Sequence, residues 1–179
     1  PVWSPSELNV DVPCYYLSDD PRLLRIAAVQ GWIPLFIGPW MATFGTHDPK
    51  VVQRSTKAAP HDVLPRKHTC SVYMDGNCYP ASWSDSVSAF VSRHLKSDID
   101  VVCWGHPDRD DVRSEAREIV QFRLETPDRV TDWMGQVEKW GFRDDQGLTE
   151  TRLLLRRHHN LVEFANGWRQ ALQRCIRDQ

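Results

Sequence analysis

Asp75-Gly76-Asn77 follows directly on the apolar run Thr69 to Met74. A carboxylate and a carboxamide two residues apart, on a bend at a strand's end, can turn their oxygens to one hard cation. Mn²⁺ or Mg²⁺ held in that way bridges a diphosphate. The same tripeptide is also a preferred hairpin turn, with glycine at positive φ. Just upstream stand Arg54, Lys57 and His61. These three donors suit phosphate or sugar hydroxyls, unless they only form a solvated helix face. A third cluster, Gly105-His106-Pro107-Asp108-Arg109, comes after the apolar run ending at Trp104, with Glu115 a turn or two further on. His106 there is a ligand or sugar-binding donor, or else the cap of a loop turn. Arg156-Arg157-His158-His159 closes another strand-like run. Adjacent imidazoles point apart in an extended chain, so one at most enters a site, and a surface pair is the plain alternative. Arg177-Asp178-Gln179 reads by itself as a frayed charged end. In open α/β sheets ligands bind at the carboxyl ends of strands, where the first and third clusters fall.

The elements that must position these residues alternate between strand and helix, the pattern of an α/β domain. Strands are expected at Val12 to Leu17, Trp32 to Ile37, Thr69 to Met74, Asp100 to Trp104 and Arg152 to Arg156. Helices are expected over Pro21 to Gln30, stopped by Gly31, and over Lys50 to Ala59, ended by Pro60. A helix capped by Ser84 or Asp85 carries Val87, Phe90, Val91 and Leu95 on one face. The next carries Val112, Ala116, Ile119 and Val120. Thr126-Pro127 is a strong start, with a capping hydroxyl and proline at the first helical position. That helix uses Val130, Met134, Val137 and Trp140, and Gly141 ends it. Asn160 caps a last helix faced by Leu161, Phe164, Ala165, Trp168 and Leu172. Gly38 to Pro49 is expected as loop.

At 179 residues the chain has one domain's length, expected to span 1–179. Hydrophobic residues make 41% and charged residues 26%, an ordinary globular composition. Eight Trp, six Phe and four Tyr with a net charge of -2 exclude intrinsic disorder. The near balance of charge, with a pI of about 6.4, argues against a nucleic-acid partner. No stretch approaches the ~20 apolar residues of a spanning helix, and no signal peptide is visible. The five cysteines are odd in number and include no CxxC pair, so neither a zinc ribbon nor a redox dithiol is expected. A reducing compartment fits them, and with no signal peptide or spanning helix visible a cytoplasmic location is expected.

Taken together, these segments resemble the glycosyltransferase-like domain of the plant mucilage-related and turgor-regulation-defect proteins, formerly a domain of unknown function. The likeness begins at Val10-Asp11-Val12 through Ser18-Asp19-Asp20 and continues at Arg54-Ser55-x-Lys57-x-x-Pro60-His61. It goes on through Ser71 to Asn77, His106-Pro107-x-Arg109 with Glu115-Ala116, and Gly147-Leu148-x-Glu150 leading to Leu155-Arg156-Arg157-His158. It closes with Trp168 and Arg177-Asp178-Gln179. Tyr73 stands where that family has Trp. Pro1 to Asn9 stand where it has a further strand, and it continues past the position of Gln179.

The resemblance implies a GT-A-like nucleotide-diphospho-sugar transferase fold, a twisted mixed sheet flanked by helices. It implies an enzyme: a glycosyltransferase using a nucleotide-diphosphate-sugar donor, a carbohydrate acceptor and Mn²⁺ (or Mg²⁺). By that likeness Asp75, Asn77 and His158 hold the metal, with His106 the second choice of imidazole. Arg54, Lys57, His61, Asp75, His106, Arg109 and Arg156 hold the donor and its phosphates. Asp178 and Gln179 act at the transferring sugar, and Asp178 is the general base if the reaction inverts. Trp83, Trp104 and Trp133 are candidates to stack on acceptor sugars, or are core. Two other readings stand beside this one. One is a non-catalytic nucleotide-sugar or glycan-binding domain on the same scaffold. The other is a metal-dependent phosphohydrolase using His106, His158 and Asp75.

Overall fold

The computed structural model describes residues 4–7, 10–46, 48–78, 85–143 and 147–174. Among them are five strands and eight α-helices, a mixed α/β arrangement. Strand β1 (Tyr15–Ser18) pairs in parallel with β2 (Ile33–Phe36) through α1 (Pro21–Val29). Proline at position 13 has no N–H to give a ladder, and β1 starts two residues after it, later than the expected Val12. Asp20 caps α1 by accepting from Arg22 N at 2.8 Å, and Gly31 leaves the helix at φ +91°.

The second sheet has the order β3-β5-β4. Strands β3 (Cys70–Met74) and β4 (Val101–Gly105) both run antiparallel to the central β5 (Thr149–Arg157). They therefore point the same way, and their carboxyl ends lie at the edge where β5 begins. Among the described residues no backbone pairing joins the two sheets, but the Tyr15 hydroxyl lies 2.9 Å from His68 Nε2, across to the residues leading into β3.

Several helices depart from expectation for local reasons. Gly38–Thr43 form α2 rather than loop. Pro39 at the first turn is compatible with a helix start, because its missing N–H would have no intrahelical partner there. Helix α3 (Pro49–Ala58) is capped by Asp48. Pro60 ends α3 as expected but also opens the short α4 (Pro60–Val63). Ser86, not Asp85, caps α5 (Val87–His94), and Ser84, the other expected cap, lies outside the described residues. Asp111 caps α6 (Val112–Gln121) through Ser114 N at 2.6 Å. α7 (Pro127–Lys139) starts at its expected proline, although the Thr126 hydroxyl makes no capping bond. Asn160 caps nothing: residues 158–160 form a 3₁₀ turn before α8 (Val162–Arg174), and its amide binds the Asp100 carboxylate at 3.0 Å.

Among the described residues the core includes two helical seams. Val112, Trp133 and Val137 meet between α6 and α7, and beside them Ala116, Ile119 and Val130 close on Met134. The other seam sets α3 against α8, with Leu154 and Leu155 of β5 buried along with Leu161, Ala165 and Leu172. Burying each such aliphatic side chain contributes roughly 1.5–3 kcal/mol. Phe164 and Trp140, expected on apolar faces, are exposed; Phe164 instead meets Trp168 edge-on. No helix among the described residues is long and apolar enough to cross a membrane.

Candidate functional site

A polar cavity of about 510 Å³ opens at the edge where β3 and β4 end and β5 begins. β3 stops because Asp75 N gives the last cross-strand bond, to Arg152 O at 2.9 Å, and Cys78 N then turns back to Asp75 O at 2.9 Å. Asp75-Gly76-Asn77 is thus a turn, and it also lines the cavity. Gly76 does not use the left-handed backbone, which the described glycines adopt at positions 31, 45, 141 and 147. A Cβ there would meet nothing within 4 Å.

From α3 come Gln53, Arg54 and Lys57. Positions 53 and 57 are one turn apart, and the buried side of α3 is turned to the sheet. Gln53 Nε2 donates to the Tyr73 hydroxyl at 2.7 Å, and that hydroxyl donates to Asp75 Oδ1 at 2.6 Å. Lys57 is almost fully enclosed: its ammonium donates to Thr151 Oγ1 at 2.9 Å, lies 3.8 Å from Asp75 Oδ1, and sits 5.1 Å over the Tyr73 ring.

From the end of β4 come His106, Asp108 and Arg109. His106 Nδ1 accepts from the backbone N–H groups of Asp108 and Arg109, both at 3.2 Å, and Nε2 lies 2.7 Å from Arg109 Nη2. The guanidinium is clamped from behind by buried Glu115 at 2.6 Å and by Glu118 at 3.1 Å. From the start of β5 come Thr151 and the ion pair Glu150–Arg152. Four cationic and three carboxylate side chains face the cavity in all. Burial, and next the Asp75 charge, push the Cys78 thiol beside this turn upward, so it stays protonated.

Six expected site residues therefore meet: Arg54, Lys57, Asp75, Asn77, His106 and Arg109. Three do not line the cavity. His61 lies on α4. Arg156 is buried in β5, its guanidinium 5.6 Å from the Tyr73 ring. His158 must be withdrawn as a partner of Asp75 and Asn77. β5 runs antiparallel to β3, so Arg157 pairs with Cys70 at the opposite end from Asp75, and five strand residues at about 3.3 Å each put about 16 Å between them. Asp178 and Gln179 lie outside the described residues, as does Trp83. Trp133 is core, and Trp104 stacks on Phe90.

Tyr73, Gln53 and Glu150 were not anticipated as site residues. The signals for the first two were present: Tyr73 and Asp75 alternate onto one side of a strand, and Gln53 precedes Lys57 by one turn. As to a divalent ion, Asp75 Oδ1 is taken by Tyr73 and Lys57, which leaves Oδ2 and the Asn77 carboxamide. Among the described residues no three His, Cys, Asp or Glu side chains form a group that could hold a metal. That donor set fits a Mg²⁺ or Mn²⁺ completed by phosphate oxygens and water, not one caged by protein alone. Neither a family model nor a curated protein nor a solved structure matches this chain.

Proposed function

We propose that the protein is a glycosyltransferase that moves a sugar from a nucleotide-diphosphate-sugar donor to a carbohydrate acceptor, on a GT-A-like scaffold. One observation carries this reading. Three separate segments that the sequence likeness assigns to donor binding meet around one polar cavity at a shared strand edge. The mixture of parallel and antiparallel pairing between helices is in keeping with that scaffold.

Arg54 and Lys57 receive the diphosphate, and Arg109 closes on it from the β4 side. Asp75 and Asn77 would hold the Mn²⁺ or Mg²⁺, which when bound neutralises charge on the departing diphosphate. The Lys57 ammonium is fixed by Thr151, Asp75 and Tyr73, so it meets developing charge without reorganising. His106 is fixed by two backbone donors and by Arg109, and it offers a directed contact to a sugar hydroxyl. Asp178 and Gln179 take the roles at the transferring sugar that the likeness gives them.

The test is a panel of nucleotide-sugars with Mn²⁺ or Mg²⁺, read by melting shift and by slow donor hydrolysis. One donor should raise the melting temperature in proportion to ln(1 + [L]/Kd) and should be hydrolysed. Asp75→Ala should lose the metal-dependent binding and keep the fold. A panel in which no donor shifts the melting temperature with either metal would defeat the proposal. The Lys57–Asp75 contact, which already neutralises the carboxylate, favours a second reading: a nucleotide-sugar-binding domain without turnover. Binding without hydrolysis would select it.

A further inference from the structure

Away from the cavity lining, β5 carries a second basic cluster. Arg156 is 2% exposed and sits opposite Ser71 in the sheet. It gives Nη2 to the Ser71 hydroxyl at 3.3 Å, while its Nε and Nη1 are buried with no acceptor. Three of the guanidinium's five N–H donors are thereby left unmatched. No carboxylate among the described residues pairs with it. Asp62 is taken by Arg169 at 2.8 Å, Asp75 by Tyr73 and Lys57, and Asp100 by Asn160.

Two residues further along, His158 is 7% exposed. Its Nδ1 lies 2.8 Å from the His68 carbonyl oxygen, which only accepts. Nδ1 therefore carries the proton, and Nε2 presents a lone pair, buried and unmatched. Nδ1 of His61 is likewise buried without a partner. Arg156, His61 and His68 all lie near enough to His158 to oppose its protonation. A buried guanidinium with one hydroxyl acceptor and no counter-charge is costly, and a neutral imidazole lone pair beside it asks for a donor.

We propose that Arg156, His158 and His61 form a site for a protonated phosphate group, separate from the strand-edge cavity. Phosphate satisfies both demands at once: its charged oxygens accept from Arg156, and its P–OH donates to His158 Nε2. With a second pKa near 6, a phosphate group retains that hydroxyl in mildly acid solution. Sulfate has the same shape and, at that pH, more negative charge but no hydroxyl, so charge alone would favour it; a carboxylate lacks the third oxygen. The site does not depend on the proposed transferase activity.

The experiment is calorimetry and thermal melting of the whole chain with inorganic phosphate, sulfate and methyl phosphate, at about pH 6 and constant ionic strength. Phosphate should bind about tenfold or more tightly than sulfate, the scale of one hydrogen bond to a charged group. Arg156→Met should remove phosphate binding. His158→Gln, a milder change, should erase the preference over sulfate and serves if Arg156→Met does not fold. Arg54→Ala, which weakens any phosphate held in the cavity, should leave the preference for phosphate over sulfate unchanged. Methyl phosphate binding as well as phosphate identifies the phosphoryl group of a larger molecule as the ligand; weaker binding identifies free phosphate. Equal binding of phosphate and sulfate would overturn the proposal. So would loss of the preference for phosphate on Arg54→Ala but not on His158→Gln.

Discussion

Replacing Lys57 with methionine separates what this side chain does for the fold from what it does for the site. Methionine is unbranched and of similar length, so it fills most of the same volume. The change removes a charge-assisted bond to Thr151 at 2.9 Å and a cation–π contact with the Tyr73 ring at 5.1 Å. Those losses cost about 1.5–3 kcal/mol and about 1 kcal/mol. Against them stands relief of the desolvation penalty of an ammonium that is 3% exposed, effectively several kcal/mol. Asp75 keeps the Tyr73 hydroxyl and is 27% exposed, so water replaces the lost ammonium. Stability should therefore change by no more than about 2 kcal/mol in either direction.

Ligand binding should not be spared. A unit charge about 4 Å from a phosphate oxygen contributes about 4 kcal/mol at an effective dielectric near 20. The cavity is open to water, and halving the figure for screening leaves about 2 kcal/mol, or roughly 30-fold in Kd. Inorganic pyrophosphate with Mn²⁺ is the probe, because it needs no assumption about the nucleotide base. Titration calorimetry reads the affinity and urea denaturation the stability. A variant that loses more than about 3 kcal/mol of stability while binding pyrophosphate as tightly as the parent would refute the reasoning and make Lys57 a packing residue.

Three further outcomes follow from neighbouring contacts. Tyr73→Phe keeps the ring under both cations but removes the hydroxyl that holds Asp75; calorimetry should show Mn²⁺–pyrophosphate binding about tenfold weaker, with a stability loss of only about 1 kcal/mol. Arg109→Ala removes the guanidinium 2.6 Å from the buried Glu115 carboxylate, which should cost up to about 3–5 kcal/mol and lower the melting temperature by up to roughly 6–20 °C; adding Glu115→Gln should restore part of the loss, and a double variant no better than the single would argue against the ion pair. Burial, and behind it Arg156, His61 and His68, hold His158 below the ordinary 6.5. The unfolded chain therefore binds the extra proton first as pH falls through that value, and stability should decline below it by up to about 1.4 kcal/mol per pH unit. His158→Gln should flatten that part of the profile in urea titrations between pH 5 and 7.5, and parallel profiles would contradict the assignment.

The alternation of elements was legible because each strand is a short apolar run closed by turn-forming residues, and most helix starts carry a cap or a proline. Composition misled at Gly38 to Thr43, where glycine and proline suggested loop although proline suits a first helical turn. Asn160 has the right residue type for a cap, but Asp100, sixty positions away, offers its amide a carboxylate. Distances of that kind are invisible to local pattern. So was the order of the second sheet, since nothing in Arg152 to Arg156 says which way the strand runs between its neighbours.

That direction decides where the charged residues of β5 act. Running against both β3 and β4, the strand begins at their carboxyl ends, which brings Glu150, Thr151 and Arg152 to the cavity with Asp75 and His106. The same direction carries Arg156 and His158 toward the start of β3, where no cavity-lining residue lies. Had β5 been parallel to β3, its last residues would have stood beside Asp75, and His158 would have been well placed for the metal role that the likeness gives it. The chain instead spends the basic residues of one motif on two places, with Tyr73 between them. Its hydroxyl holds Asp75 at the cavity and its ring lies against Arg156. Substitutions at the start of β5 should therefore be read in pyrophosphate affinity, and those at its end in phosphate affinity. Tyr73→Phe, which keeps the ring, should weaken the first and leave the second intact.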